Sequence, residues 1–392
     1  MADNIPDLTG VTVLQVIPEL DTGGAERTTL EVGRAIIAAG GRSLVVSEGG
    51  QMVTELEKDG STHIEMPVSS KNPMLIAANG QALAKLIRDK NVSIIHARSR
   101  APAWSCFQAA RKTGAKFVTT YHGIYRAKGA PKRLYNSVMA RGDAVIANSD
   151  YTARAVRETY GDKKWFPDPD HFVTIPRGAD LSRFDPKALD EARRRAALLA
   201  FGGEGAFRIL LPGRLTEWKG QEVLLRAASL LQKETLPVPF RVVLIGSAQG
   251  RQEYEARLRA MAEELGIATN VHIHGHWDDM PAAYDWADVT VSASTRPEAF
   301  GRVAVESQAM ATPVIASAHG GALETVKDGE TGKLVPPGDM EALSKALLEF
   351  MRHPNDVKAS YSAAARHRAV SHFSTEAMTT ATLCVYKQLI QG

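Results

Sequence analysis

Short apolar runs alternate along the chain with longer stretches in which apolar residues recur every third or fourth position. Residues 11–17 read as a buried strand, 21–24 as a tight turn, and 25–39 as a helix that Gly40 and Gly41 close, together a β-loop-α unit. The unit recurs. Strands are predicted at 43–47, 63–66, 93–96, 116–121, 143–148 and 171–175, with helices at 51–58 and 76–89 and helical stretches between most of the later strands. Alternation of this kind implies a parallel sheet covered by helices on both faces.

From 181 to 204 the pattern turns into a polar helix, rich in Arg and Ala, that runs into glycine punctuation at 201–205, where a linker is predicted. A second alternating run follows, with strands at 208–212, 240–245, 271–274, 289–292, 313–317 and 332–335 and helices at 221–233, 253–265, 281–286 and 301–309. At 392 residues the chain exceeds what one hydrophobic core usually holds. The expected domains are 1–185 and 206–370, with 371–392 a terminal helix packing back on the first. The fold class is α/β, two Rossmann-like doubly wound domains. Ligands of such sheets bind beyond the carboxyl ends of the strands, so facing domains would enclose a ligand in the cleft between them.

Composition narrows the class. With 44% hydrophobic and 23% charged residues and no short repeat, disorder is excluded. Cys106 and Cys384, the only cysteines, argue against a disulfide framework or a cysteine zinc site and suit a reducing compartment. The acidic N-terminus lacks the basic head and apolar core of a secretory signal. No apolar run approaches the roughly 20 residues of a membrane-spanning helix, since Thr12, Gln15 and Pro18 break even the run at 11–20. A cytoplasmic protein is expected. The net charge of +3 is unevenly spread: between Lys90 and Gly142 there is no Asp or Glu, against eleven Lys and Arg. Such a segment suits an anionic substrate or an anionic membrane surface; a solvated basic face balanced by acids elsewhere is the alternative.

The densest chemistry is at 296–306, where Glu298 precedes a predicted helix and Glu306 lies inside it. Helical geometry throughout would put the two carboxylates about 12 Å apart along the axis. They would then grip different parts of one extended ligand rather than share a proton. Free amides of Ala299, Phe300, Gly301 and Arg302 at the helix start would meet an anion, and the macrodipole adds about 1 kcal/mol toward a phosphate. After the first strand of the second domain, Arg214 and Lys219 stand in a loop that would aim two cations at the same place. In the first domain Gly23 and Gly24 would let the backbone approach a phosphate or sugar closely, and His122 ends a strand.

These motifs, in order along nearly the whole chain, resemble the retaining GT-B glycosyltransferases of glycosyltransferase family 4. The likeness rests on Gly23 to Arg27, His122-Gly123, Asn148-Ser149, Ile175 to Asp180, Gly213-Arg214, Lys219-Gly220, Pro297 to Gly301, Glu306 and Asp328 to Gly332. The resemblance implies that Glu298 contacts the donor sugar, Glu306 the ribose hydroxyls, and Arg214 and Lys219 the diphosphate. It also places His122 beside the transferred sugar and the base near Gly275, His276, Trp277 and Met280. Gly23, Gly24 and Gly246 join the expected donor site, although residues 245–250 depart from the family's common glycine-proline form. Arg177 stands where many members have asparagine. Acceptor contacts are expected from Arg98, Arg100, Tyr121, Arg126 and Arg177.

The implied reaction is front-face transfer of a sugar from a nucleoside diphosphate donor, UDP-sugar favoured and GDP-sugar possible. The acceptor is expected to be a saccharide or glycolipid, lipid-linked or of lipopolysaccharide-core type, with peripheral contact at the inner leaflet. No metal, other cofactor or nucleic acid is expected. Three patterns read as decoys: Asp168 to Asp170 as a turn, the alternating His272, His274 and His276 as no metal site, and 329–333 as a turn too short for a P-loop. A sugar-nucleotide epimerase or phosphorylase, or a non-catalytic sugar-nucleotide-binding subunit, is the rival reading. A nicotinamide oxidoreductase would need a Gly-x-Gly-x-x-Gly turn after the first strand, where residues 21–26 have none.

Overall fold

The computed structural model describes residues 5–21, 23–125, 129–248, 250 and 252–391. Contacts divide the chain into two compact units, Met1–Gly178 with Thr375–Gly392, and Ala179–Ser374.

In the first unit the described residues form a parallel sheet of seven strands: β1 Thr12–Val16, β2 Arg42–Ser47, β3 Thr62–Glu65, β4 Ile94–Ala97, β5 Lys116–Tyr121, β6 Ala144–Ala147 and β7 Phe172–Thr174. Their spatial order, β3-β2-β1-β4-β5-β6-β7, is doubly wound. Central strands are buried along their length, because helices cover both faces. Successive residues therefore serve opposite cores: Phe117 packs with Leu83, Cys106 and Met139, while its neighbour Val118 packs with Val13, Ile36 and Ile146. Leu383, Tyr386 and Leu389 of the terminal helix Thr375–Gln391 complete the second of these cores, beside helix Gly24–Ala38.

The second unit holds a parallel sheet of six strands: β8 Phe207–Pro212, β9 Phe240–Ile245, β10 Val271–Gly275, β11 Val289–Ser292, β12 Val314–Ser317 and β13 Gly332–Val335, in the order β10-β9-β8-β11-β12-β13. The order reverses direction at β8, which places the ends of β8 and β11 at the topological switch point.

The division between units differs from the expected linker. Helix Glu191–Phe201 belongs to the second unit, where Ala197 and Phe201 are buried with Tyr284 and Trp286. Its arginines hold it there: Arg193 grips Asp279 with Nε and Nη2, both at 2.7 Å, and Arg194 meets Asp285 at 3.1 Å. The polar, Arg-rich helix expected here is thus docked on the second unit, and the predicted linker at 201–205 lies inside that unit. The last helices also run differently, Asn355–His372 ending at Phe373 before Thr375–Gln391 begins.

Candidate active site

In the second unit the expected residues gather at the carboxyl ends of β8, β9 and β11. Lys219 closes the single turn Glu217–Lys219 after β8, and its Nζ lies 2.8 Å from Glu298 Oε1. Both side chains are largely shielded, 13% and 18% exposed, so the pair carries more weight than a surface salt bridge. Ser294 Oγ donates to the same carboxylate oxygen. Glu306 occupies a separate place: its Oε2 accepts from the Tyr284 hydroxyl at 3.0 Å, and its Oε1 accepts from Arg302 Nη2 at 2.6 Å. Burial first, and the Glu306 carboxylate second, hold the Tyr284 phenol far above its usual range, so it remains a donor. The two glutamates share no partner, as different contacts on one extended ligand require.

The helix here is Arg302–Ala309, with Gly301 as its N-cap in the left-handed region at φ 86°. Ala299, Phe300 and Gly301 therefore lie in the preceding loop and not in the helix start. That loop is clasped by Gly320 and Gly321. A Cβ on Gly321 would meet Phe300 backbone atoms at 2.4 Å, and Gly321 N donates to Glu298 O at 2.8 Å. Only glycine fits so close an approach. His319 Nε2 lies 2.8 Å from Ser294 O, tying the same turn to the strand end. Arg214 is exposed, and Gln221 Nε2 holds its backbone carbonyl at 3.0 Å.

The loop expected to receive a base is mixed. Gly275 ends β10, its carbonyl accepting from Gly246 N at 2.6 Å, and His276 is exposed beside Asp278. Trp277 is engaged within the fold: its indole lies tilted against Phe201 with ring centroids 4.8 Å apart, and its Nε1 donates to Asp279 O at 2.7 Å. Met280 is half-buried against the same aromatic cluster. His272 and His274 stand 5.6 Å apart as rings, and among the described residues no group of three His, Cys, Asp or Glu is arranged to hold a metal. Asp168 to Asp170 leads into the turn Pro169–His171, and the pattern at 329–333 is split by the start of β13.

In the first unit a second cluster forms on one face of the sheet. Gly23 is the N-cap of helix Gly24–Ala38, and the Arg177 guanidinium lies over Gly24, where a Cβ would meet it at 2.2 Å. Arg98 follows β4, and His122 follows β5. One pleat back on the same face, His96 bridges Tyr386 OH at 2.6 Å and Thr120 Oγ1 at 2.8 Å. Burial, then Arg98, Arg177 and His96, hold the His122 imidazole well below the ordinary histidine range. It is therefore neutral at pH 7.

The expected acceptor residues do not form one group. Tyr121 points to the opposite face from His122, where its ring meets Tyr125 at 5.3 Å and Arg100 lies over Tyr125 at 4.3 Å. Arg100 also donates to Asn136 Oδ1 at 2.9 Å. Arg126 lies outside the described residues. Residues outside the motif reading are Tyr284, Ser294, His319, Gly320, Gly321 and Tyr386, and Arg302, expected there only through its backbone amide, contributes its side chain. Gly320-Gly321 was findable, since it repeats after β12 the double glycine that follows β1. Ser294 and Tyr284 carry no pattern of their own.

Two Rossmann-like α/β units, one carrying paired carboxylates and cations at its strand ends, define the GT-B class. Residues 22–183 match the model of Glycosyltransferase Family 4, and 202–368 that of Glycosyl transferases group 1. The chain is 30% identical over 300 residues to D-inositol 3-phosphate glycosyltransferase 1 of Catenulispora acidiphila, covering 72% of this chain and 69% of that one. A crystal structure of a glycosyltransferase from Rickettsia africae is similar with a TM-score of 0.87 and 35% identity, over 97% of this chain and 99% of that chain. An Anabaena protein crystallised with UDP and glucose has the same fold, with a TM-score of 0.80 and 21% identity over 96% and 100%. The chain belongs to the group 1 glycosyltransferases of glycosyltransferase family 4.

Proposed function

We propose that this enzyme moves a hexose from a nucleoside diphosphate sugar, preferably a UDP-sugar, to a saccharide acceptor with its anomeric configuration retained. The observation that carries the reading is the pair of separately held carboxylates. Glu298, fixed by Lys219 and Ser294, takes the donor sugar hydroxyls; Glu306, fixed by Tyr284 and Arg302, takes the ribose. Arg214, exposed in the loop after β8, and Lys219 stabilise the diphosphate as it leaves. The acceptor oxygen attacks the anomeric carbon on the face from which the diphosphate departs, the leaving phosphate oxygen takes the acceptor proton, and no protein nucleophile is used. The UDP and glucose held by the Anabaena fold relative support the donor class. No metal enters this scheme, in which Arg214 and Lys219 supply the positive charge.

The test is a thermal-shift screen against UDP, GDP and ADP and their sugar conjugates, with and without EDTA. A UDP-selective shift insensitive to EDTA is expected; no shift with any nucleotide overturns the reading.

For the acceptor, the acid-free segment between Lys90 and Gly142 supports a lipid-linked or lipopolysaccharide-core saccharide, met at an anionic inner leaflet. The contact in this reading is peripheral; among the described residues no helix is long and apolar enough to cross a membrane. Flotation with anionic vesicles at low salt should carry the protein, and its absence counts against the membrane reading. The Catenulispora relative, named for a phosphorylated inositol, favours a small phosphorylated acceptor as the second reading.

A further inference from the structure

Among the described residues Arg98 heads the fully buried side chains by size, and it is 2% exposed. Its Nε and Nη2 have no hydrogen-bond partner, and neither does His122 Nε2. Nε and Nη2 lie on one edge of the guanidinium. Through that edge Arg193 grips Asp279, both bonds at 2.7 Å, and Arg208 grips Asp288 at 3.2 and 3.1 Å. The edge is shaped for an oxyanion held by two parallel N–H bonds.

Removing a guanidinium from water without such a partner is strongly unfavourable. The surrounding groups relieve it only in part and only through space, and burial outweighs them. Glu31, on helix Gly24–Ala38, acts on Arg98 through space without bonding Nε or Nη2, and Tyr386, from the terminal helix, acts the same way. The other groups facing the site, His96, His122 and Arg177, are further donors or cations, and all three act on one another or on Arg98 electrostatically. No Asp or Glu occurs between Lys90 and Gly142, the segment that contributes Arg98 and His122.

We infer that Arg98 recognises an oxyanion carried by the acceptor: a phosphate or carboxylate binds side-on to its Nε and Nη2, next to His122 Nε2, with Arg177 adding positive charge. The inference rests on the transferase reading and names the chemistry of its acceptor. The donor diphosphate is the other source of such an oxyanion, and the experiment separates the two.

Binding of inorganic phosphate, acetate and UDP is measured by calorimetry in phosphate-free buffer for the full chain, for Arg98→Met and for Arg98→Lys. Wild type should bind phosphate or acetate, Arg98→Met should weaken it by about tenfold or more, Arg98→Lys should fall between, and UDP affinity should stay within about twofold throughout. Ligand-free Arg98→Met should melt no lower than wild type, because it removes an unpaired buried charge at similar volume. A lowered midpoint with unchanged anion affinity makes Arg98 a structural residue and overturns the proposal. So does a loss of UDP affinity in parallel, which would assign the edge to the donor, or failure of wild type to bind either anion. Wild type that binds phosphate through Arg98 but not UDP leaves this site standing and sinks the donor reading instead.

Discussion

In the second unit Lys219 and Arg302 each meet a carboxylate, at 2.8 and 2.6 Å, whereas Arg98 in the first unit is more deeply buried and its Nε and Nη2 meet none. The paired cations are satisfied before any ligand arrives. A donor must therefore compete with or extend bonds already made, which gives orientation and selectivity more than raw affinity. At Arg98 the desolvation has been incurred during folding, so a ligand that supplies the missing oxyanion gains the interaction without that cost. The two regions thus illustrate different ways of preparing charge at strand ends: one holds carboxylates in position, the other leaves one edge of a buried cation without a hydrogen-bond partner.

The largest expected effect is at the paired region. Glu298→Gln keeps the shape but removes the charge that Lys219 and Ser294 position, and turnover should fall by roughly 10²–10³ with the thermal midpoint little changed. Near-normal turnover in the purified variant would reject the role. Tyr386→Phe tests the other region: it removes the hydroxyl bonded to His96 Nδ1 at 2.6 Å within a wholly buried network. A loss of about 1–3 kcal/mol in urea unfolding is expected, and no loss would mean that the terminal helix does not brace the cluster. Glu306→Gln should raise the donor KM by about tenfold with kcat changed far less, since Tyr284 and Arg302 still orient the side chain. An equal fall in kcat would move Glu306 from binding into the chemical step.

The smallest effect is in pH dependence, and its sign follows from the histidines. Burial first, then neighbouring positive charge, holds His96 and His122 well below the ordinary histidine range in the folded protein. Unfolded, they take up protons near pH 6.5. Below that value, and down to their depressed folded values, the unfolded state binds more protons, so stability is full above about pH 6.5 and is lost as pH falls. In the second unit the described histidine with a lowered value is His272, which is only partly buried. Hydrogen exchange at pH 7 and pH 5 should therefore show the first unit losing protection faster. Faster loss in the second unit would break the contrast.

Much of the architecture was legible because parallel strands buried on both faces are written as continuous apolar runs. Residues 116–121 and 240–245 were read with the bounds that β5 and β9 have. The start of the helix at Arg302 was misjudged by one residue because Gly301 adopts a left-handed conformation that sequence alone leaves open. The helical pattern within 181–204 matches helix Glu191–Phe201, but sequence leaves open which unit it joins, because its arginines find their carboxylates, Asp279 and Asp285, far along the chain.

What the sequence by itself determined is the alternation of strand and helix, the acid-free basic segment, and the identity of the charged residues that follow the strands. These are local properties, set by periodicity and by the residues present. Only the tertiary structure decided which charges are paired. Lys219 and Glu298 are 79 positions apart, and His96 and Tyr386 are 290, so their bonds exist only because two strand ends, or a strand and the terminal helix, are brought together. The same folding buries Arg98 while bringing no carboxylate to its Nε and Nη2, since hydrogen bonding is short-ranged and depends on where every other element packs.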